Sequence, residues 1–409
     1  MHLFDAFGIE LEYMIVDRES LAVKPIADRV LVDESGAVTS DIDRGPISWS
    51  NELTHHVIEL KTNGPALSLT PLAGQFEHEI REINERLADE DARLLPTAMH
   101  PWMDPKTEMQ LWPHDYHVVY ETFDRIFDCR GHGWANLQSM HINLPFANDN
   151  EFGRLHAAIR LILPLLPALA ASSPIVEGQR SGQMDSRLDV YRKNARGVAS
   201  VSGRVIPEPV FDEASYRREI FDRMFADIAQ YDPDGVLQDE FLNARGAIAR
   251  FSRGAIEIRV IDVQECPQAD LAIAALTVAV LKLLIAEKWT SFAEQSSLSI
   301  DQLEPAFLAT IQQADQAVIS DHDYLRQFGI DAAHPTAKEV WWRLYEACIE
   351  REPDLEEAHG HALGVLLNEG CLSRRILHSL DSSVTKPTMH QVYHRLANCL
   401  ESGEMFRVG

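Results

Sequence analysis

Four segments of this chain carry two polar residues at i and i+2 inside an otherwise apolar run. They are Glu10/Glu12 in FGIELEYMIV, Glu59/Lys61 in HHVIELKT, His141/Asn143 in SMHINLPF and Glu257/Arg259 in AIEIRVIDV. Period-two alternation marks a half-buried strand, and residues at i and i+2 leave it on the same face. If the four strands pair, one face gathers Glu10, Glu12, Glu59, His141, Glu257 and Arg259. An antiparallel sheet with one wet face explains any single pair. It explains all four together less well. A solvent face mixes Thr, Ser, Lys and Gln, whereas crowded carboxylates repel unless divalent cations lie between them. Hard oxygen donors with a single imidazole suit Mg²⁺ or Mn²⁺. Glu52, seven residues before Glu59, is a further candidate ligand; the odd spacing requires the chain to turn or bulge between them.

The expected strands cover Phe7–Val16, His55–Thr62, Gly131–Phe146 (ending at Pro145) and Ala255–Val263. Between them, Thr70-Pro71 reads as the start of a helix whose Phe76, Ile80, Ile83 and Leu87 share one side. Helical patterns also cover Leu155–Ala171 and Ala214–Tyr231, and everything after Cys266-Pro267 reads as helix. Strands interspersed with helices, then a helical tail, predict an α+β fold. The expected organisation is a sheet-and-helix core over residues 1–270 and a helical part over 271–409, packed as one continuous domain.

Charge narrows the function. Sixty-three acidic against thirty-seven basic side chains give a formal charge of −26. That excess argues against nucleic acid and anionic membranes as partners and fits a chain that gathers divalent cations. Five scattered cysteines without a CxxC pair form neither a disulfide framework nor a zinc site, so a reducing cytoplasm is expected. No signal peptide is read at the N-terminus. The apolar stretches Leu161–Ala171, broken by Pro164 and Pro167, and Leu271–Ile285, containing Thr277 and Lys282, are expected to be core helices too short for a bilayer crossing.

In their order, GIELEY, NELTHHVIELKTNGP, SMHINLPF and AIEIRVIDV resemble the glutamate–cysteine ligase type 2 family, among the glutamine synthetase-like carboxylate–amine ligases. The resemblance covers roughly residues 5 to 270. It implies a curved antiparallel sheet, helices on its convex side, and a concave face that binds ATP with two or three divalent metals, Mg²⁺ or Mn²⁺. Carried over by position, it implies that Glu12, Glu52 and Glu59 hold the metal nearer the substrate. Glu10, His141 and Glu257 hold the metal that bridges the nucleotide phosphates, and Arg259 faces the γ-phosphate as the catalytic arginine. Many relatives have a second histidine two positions after the first; here Asn143 stands there.

Further candidates lie outside these strands. Arg187, Tyr191 and Arg192, in DSRLDVYRKNAR, are candidate substrate binders because guanidinium grips carboxylate bidentately. A surface salt-bridge cluster is the competing account of that segment. Arg250 and Arg253 precede the Glu257 strand, and Arg250 is the favoured phosphate contact. His132 and Trp134 read as loop or core members, the C-terminal histidines as structural, and Cys129 as inert. The leading reading is an ATP-dependent ligase joining a glutamate-like carboxylate to an amine such as cysteine, both small molecules. A phosphotransferase of the same fold, a metal-dependent hydrolase and a non-catalytic metabolite-binding protein are the alternatives. The C-terminal helices could supply a homo-oligomer interface.

Overall fold

A computed structural model of the chain describes residues 1–380 and 384–408. The alternating segments become strands β1 (Gly8–Asp17), β4 (Val57–Thr62), β6 (Ser139–Pro145) and β10 (Ala255–Asp262). Around them lie β2 (Asp41–Asp43), β3 (Ile47–Asn51), β5 (Ala92–Leu95) and β9 (Ala247–Arg250). These eight form one sheet in the order β2-β3-β4-β1-β6-β10-β9, with β5 beside the far half of β1, and every pairing is antiparallel. The strands β7 (Ile175–Val176) and β8 (Gln179–Arg180) make a separate hairpin.

The apolar half of each alternation is what seats the sheet. Ile9, Leu11, Tyr13, Ile58, Leu60, Ile142, Leu144, Ile256 and Ile258 are fully buried in one continuous core. Burying each such aliphatic side chain contributes about 1.5–3 kcal/mol. The helix Leu72–Ala88 presents Phe76, Ile80, Ile83 and Leu87 to the same core; its other charged residues lie toward solvent, while Glu79 is buried and pairs with Arg44 at 3.1 Å. Asp149–Ile162 and Pro267–Ile285 complete that layer, and Pro267–Ile285 packs in turn on Ala337–Ile349 and Asp354–Glu369. The last helix, Lys386–Ser402, lies on Leu72–Ala88 and β5. Residues beyond 270 therefore share the core of the sheet, and the buried Glu265–Arg375 ion pair ties the two parts together.

Three sequence expectations are corrected. The segment from Gly131 does not begin as strand: His132–Ala135 is a helical turn, and β6 starts at Ser139. The reason is Asn136, whose amide accepts from His100 N at 2.7 Å and donates to His100 O at 3.0 Å, an arrangement no ladder position provides. His55 and His56 likewise precede β4, since His55 N donates to Gln110 O in a loop. The apolar helices are also longer than expected. Asp149–Ala170 continues through Pro164 and Pro167 by a 3-10 turn, and both it and Pro267–Ile285 have the length and composition of a bilayer span. They lie 94% and 83% buried inside the protein, where they build the core instead.

Three histidines are held neutral in this core. His56, His100 and His156 are fully enclosed, and each donates one ring N–H to a backbone carbonyl, of Ala135, Leu21 and Val210 respectively. Burial lowers them from 6.5 to about 4, 4 and 3, helped at His156 by the nearby Arg160. Between those values and 6.5 the unfolded chain binds protons that the native chain refuses. Stability should therefore fall on acidification, by about 1.4 kcal/mol per pH unit for each histidine. Urea unfolding at pH 7 and pH 5 should show this loss, and His156→Gln should reduce its pH slope by about one proton; an unchanged slope would contradict the assignment.

Candidate active site

The polar half of the alternation is set by strand register. On β1, Glu12 pairs with Glu59 of β4, and Glu10 lies between Lys61 of β4 and His141 of β6. Asn143 pairs with Gly8 on one side and Glu257 of β10 on the other, and Ser50 of β3 pairs with Glu59. A register shift between Ile258 and Ile261 breaks the β6–β10 ladder beside Arg259. There Arg259 N donates to Gly246 O at 2.9 Å, and Gly246 has to be glycine because a Cβ would stand 2.5 Å from Val260 Cγ1. Glu52 lies just past the end of β3, where the chain turns, so the odd spacing to Glu59 is absorbed by a loop.

The resulting cluster is dense. Glu12, Glu52 and Glu59 each bring a carboxylate oxygen within 4.8 Å of the other two, and the same limit holds for Glu10, Glu59 and His141. Glu59 belongs to both groups. Glu257 stands beside the second group, its Oε1 3.8 Å from His141 Nδ1, while it pairs with Arg250 Nε and Arg259 Nε, each at 3.0 Å. The Arg259 contact has ion-pair distance without hydrogen-bond alignment, and Arg259 Nε has no hydrogen-bond partner among the described residues.

Internal cations offset part of this negative charge. His141 Nδ1 donates to Glu10 Oε2 at 2.7 Å, and its Nε2 lies 2.9 Å from Ser139 Oγ, which donates to Glu12 at 3.0 Å. Burial alone would lower His141, but the hydrogen bond and the charges of Glu12 and Glu10 outweigh it and raise it. Burial would raise Glu10, but His141, Arg259 and Lys61 prevail and hold it at about 2. Asn143 Nδ2 donates to Glu10 Oε1 at 2.9 Å, so it orients a carboxylate. Lys61 Nζ reaches Asp41 at 3.0 Å, Glu59 at 3.2 Å and Ser50 Oγ at 2.7 Å. These cations do not suffice for the Glu12 side. Burial and the charges of Glu10 and Glu12 lift Glu59 to about 7 despite Lys61. Burial with Glu59 and Glu12 pushes Glu52 well above the carboxylate range. A triad of hard oxygens, two buried and one half-buried, that cannot all ionise alone is the donor chemistry that a divalent cation fits.

The cluster lies between two cavities. The larger, about 570 Å³, is lined by Glu12, Glu52, Glu59, Arg187, Tyr191, Arg250, Arg253 and Arg259 on its polar side. The smaller, about 350 Å³, opens at the other end of the strands beside Glu10, Gly8, Asn143, Lys61 and Ala255. Arg253, exposed at the tip of the β9–β10 hairpin, borders both.

Arg187 lines the larger cavity, but its guanidinium is engaged: Nε donates to buried Asp262 at 2.5 Å, and both Nη atoms reach Arg259 O at 3.3 Å. It thus grips the backbone at the register shift. The Tyr191 hydroxyl is buried against Arg259 and has no hydrogen-bond partner among the described residues. Arg192 lies off the cavity lining, 3.9 Å from Asp189. Ser50 and Ser139 were missed by sequence reasoning. Ser139 stands two residues before His141 on the same face, a usable signal, whereas Ser50 sits on a strand that went unread.

The profile of glutamate–cysteine ligase family 2 matches residues 6–394. The chain belongs to that family. An uncharacterized protein of Archaeoglobus fulgidus is 32% identical over 401 residues, 98% of this chain and 99% of the relative. Among solved structures, the glutamate–cysteine ligase of Francisella tularensis, in complex with AMP, superposes with a TM-score of 0.60 at 14% identity, covering 97% of this chain and 89% of that one. A bifunctional glutathione synthetase from Pasteurella multocida gives a TM-score of 0.63 at 13% identity, with 98% of this chain spanning 53% of that one. At such identities the shared property is the fold, the glutamine synthetase-like α+β sheet.

The carboxylate triad yields a test independent of turnover. Mn²⁺ or Mg²⁺ should raise the melting temperature of the wild type, since binding only the native state stabilises it. Glu52→Gln should leave the metal-free protein as stable or more so while removing most of the metal-induced rise; an equal rise in both would contradict a cation held by this triad.

Proposed function

We propose that this protein is an ATP-dependent ligase that joins a glutamate-like carboxylate to an amine, acting in the cytoplasm. The observation that carries the reading is the carboxylate–histidine face lying between two adjoining cavities, with cationic side chains converging on it. Glu12, Glu52 and Glu59 would hold one divalent cation; Glu10, His141 and Glu257 would hold a second, with Glu59 in reach of both sites. Bound there, Mg²⁺ or Mn²⁺ would supply charge neutralisation for phosphate oxygens. The smaller cavity beside Glu10 and Asn143 suits the nucleoside, and the larger one the two co-substrates.

The chain's own residues supply positioning and compensating charge. A carboxylate is a poor acyl donor because its leaving group would be oxide. Attack of a carboxylate oxygen on the γ-phosphorus forms an acyl phosphate and releases ADP. Arg259, with Arg250 beside it, meets the transferring phosphoryl group, a task of charge stabilisation rather than covalent chemistry. Arg187 holds the Arg259 backbone in place, and the Tyr191 hydroxyl is free to bond a ligand oxygen. The amine then forms the C–N bond as the C–O bond to phosphate breaks; phosphate leaves with the carboxylate oxygen and takes up the amine's proton.

Hydroxylamine intercepts acyl phosphates whatever the natural acceptor. With Mg-ATP, L-glutamate and hydroxylamine, the protein should release ADP and form the hydroxamate. Glu10→Gln and Glu257→Gln should each lower the rate on the order of 10²-fold or more while the fold persists. Near wild-type rates in either variant would overturn the site assignment. ADP release that needs no acceptor would favour a phosphotransferase, and turnover without nucleotide a hydrolase.

A further inference from the structure

The larger cavity has a second wall, opposite in character to the carboxylate face. The helix His117–Phe127 contributes Tyr120 and Phe123, with Tyr116 at its start; the turn His132–Ala135 contributes Trp134; and Leu137 and Phe241 complete it. The wall is rigid. Trp134 stacks on Phe127 at 5.4 Å, and Phe123 lies 5.4 Å from Trp134 and 6.3 Å from Phe241. It begins where the polar face ends: Tyr120 Oη accepts from Asn51 Nδ2 at 3.0 Å, and Asn51 adjoins Glu52. Tyr116, 65% exposed at the rim with φ +70°, extends it toward solvent.

Resting on the ligase reading above, we infer that this wall is the acceptor subsite and that the amine it takes bears a large apolar or aromatic side chain. The donor's carboxylates favour the polar side, where Arg253 offers a counter-ion that aromatic rings do not. The nucleoside has the smaller cavity at the other end of the strands. The acceptor must approach the activated carboxyl from beside Glu12, Glu52 and Glu59, and its side chain then trails over Tyr120, Trp134 and Phe241. A cavity of about 570 Å³ falls among those holding drug-sized ligands, more than two small amino acids fill. Apolar pockets discriminate by about 10- to 200-fold per methylene, so a partner that covers the wall outcompetes one that leaves it wet.

The test uses the full-length protein with Mg-ATP and L-glutamate, reading product formation with L-cysteine, glycine, L-leucine, L-phenylalanine and phenethylamine, and hydroxamate with hydroxylamine. The inference predicts that kcat/KM for an aromatic or large aliphatic amine exceeds that for cysteine at least 10-fold. Phe241→Ala should collapse that ratio toward one. Leu137→Phe, which crowds the same wall, should lower it and provides a second reading should the first variant fail to fold. Hydroxamate formation with cysteine or glycine preferred would overturn this inference alone. An unchanged ratio in Phe241→Ala, with a raised KM for ATP, would overturn it by assigning the wall to adenine. Absence of hydroxamate would overturn the ligase reading and this inference with it.

Discussion

Five glutamates converge on one face of an antiparallel sheet, and much of the site's construction answers their mutual repulsion. Glu10 is satisfied from within, by His141 and Asn143 on the neighbouring strand. Glu257 is satisfied by two arginines. In the Glu12–Glu52–Glu59 group Ser139 serves Glu12 and Lys61 serves Glu59, yet burial and mutual repulsion still push Glu52 and Glu59 up. Buried carboxylates left in this condition cost stability. A fold retains them where another species completes the charge balance, and perturbed groups of this kind concentrate at functional sites.

The apolar side of the same strands explains how that cost is carried. Each glutamate carried on a strand alternates with a residue such as Ile9, Leu11, Ile58 or Ile256 that is fully buried against the helical layer, and only Glu52 comes from a loop. A one-residue slip would turn the glutamates into the core and the isoleucines into the cavity, so the register is held firmly. The helices beyond residue 270 thicken this core and never enter the lining of either cavity, which separates support from chemistry along the chain.

Much of this was legible in the sequence, because period-two alternation reports both a strand and its two faces. The four core strands, the helix opened by Thr70-Pro71 and, given that the strands pair, the shared face of Glu10, Glu12, Glu59, His141 and Glu257 could be read from it. What could not be read follows physical rules as well. The strands β2, β3, β5 and β9 are three to five residues long, too short for periodicity to rise above chance. Arg187 was legible as a cation near the site, but its engagement with Asp262, seventy-five residues away, is a tertiary fact. The aromatic wall is likewise assembled from three segments, none of which looks unusual alone. The second tier of the site, Ser139 and Ser50 bonded to Glu12 and Glu59, consists of residues whose types are common on any wet strand.

The central claim is that this face activates a carboxylate by phosphorylation. The most direct measurement follows an oxygen atom. With L-glutamate labelled with ¹⁸O in its side-chain carboxyl, Mg-ATP and hydroxylamine, the account predicts one labelled oxygen in each phosphate released. Phosphate free of label, with ADP formed and the amide or hydroxamate made, would mean the carboxylate never attacked the γ-phosphorus and would contradict the account.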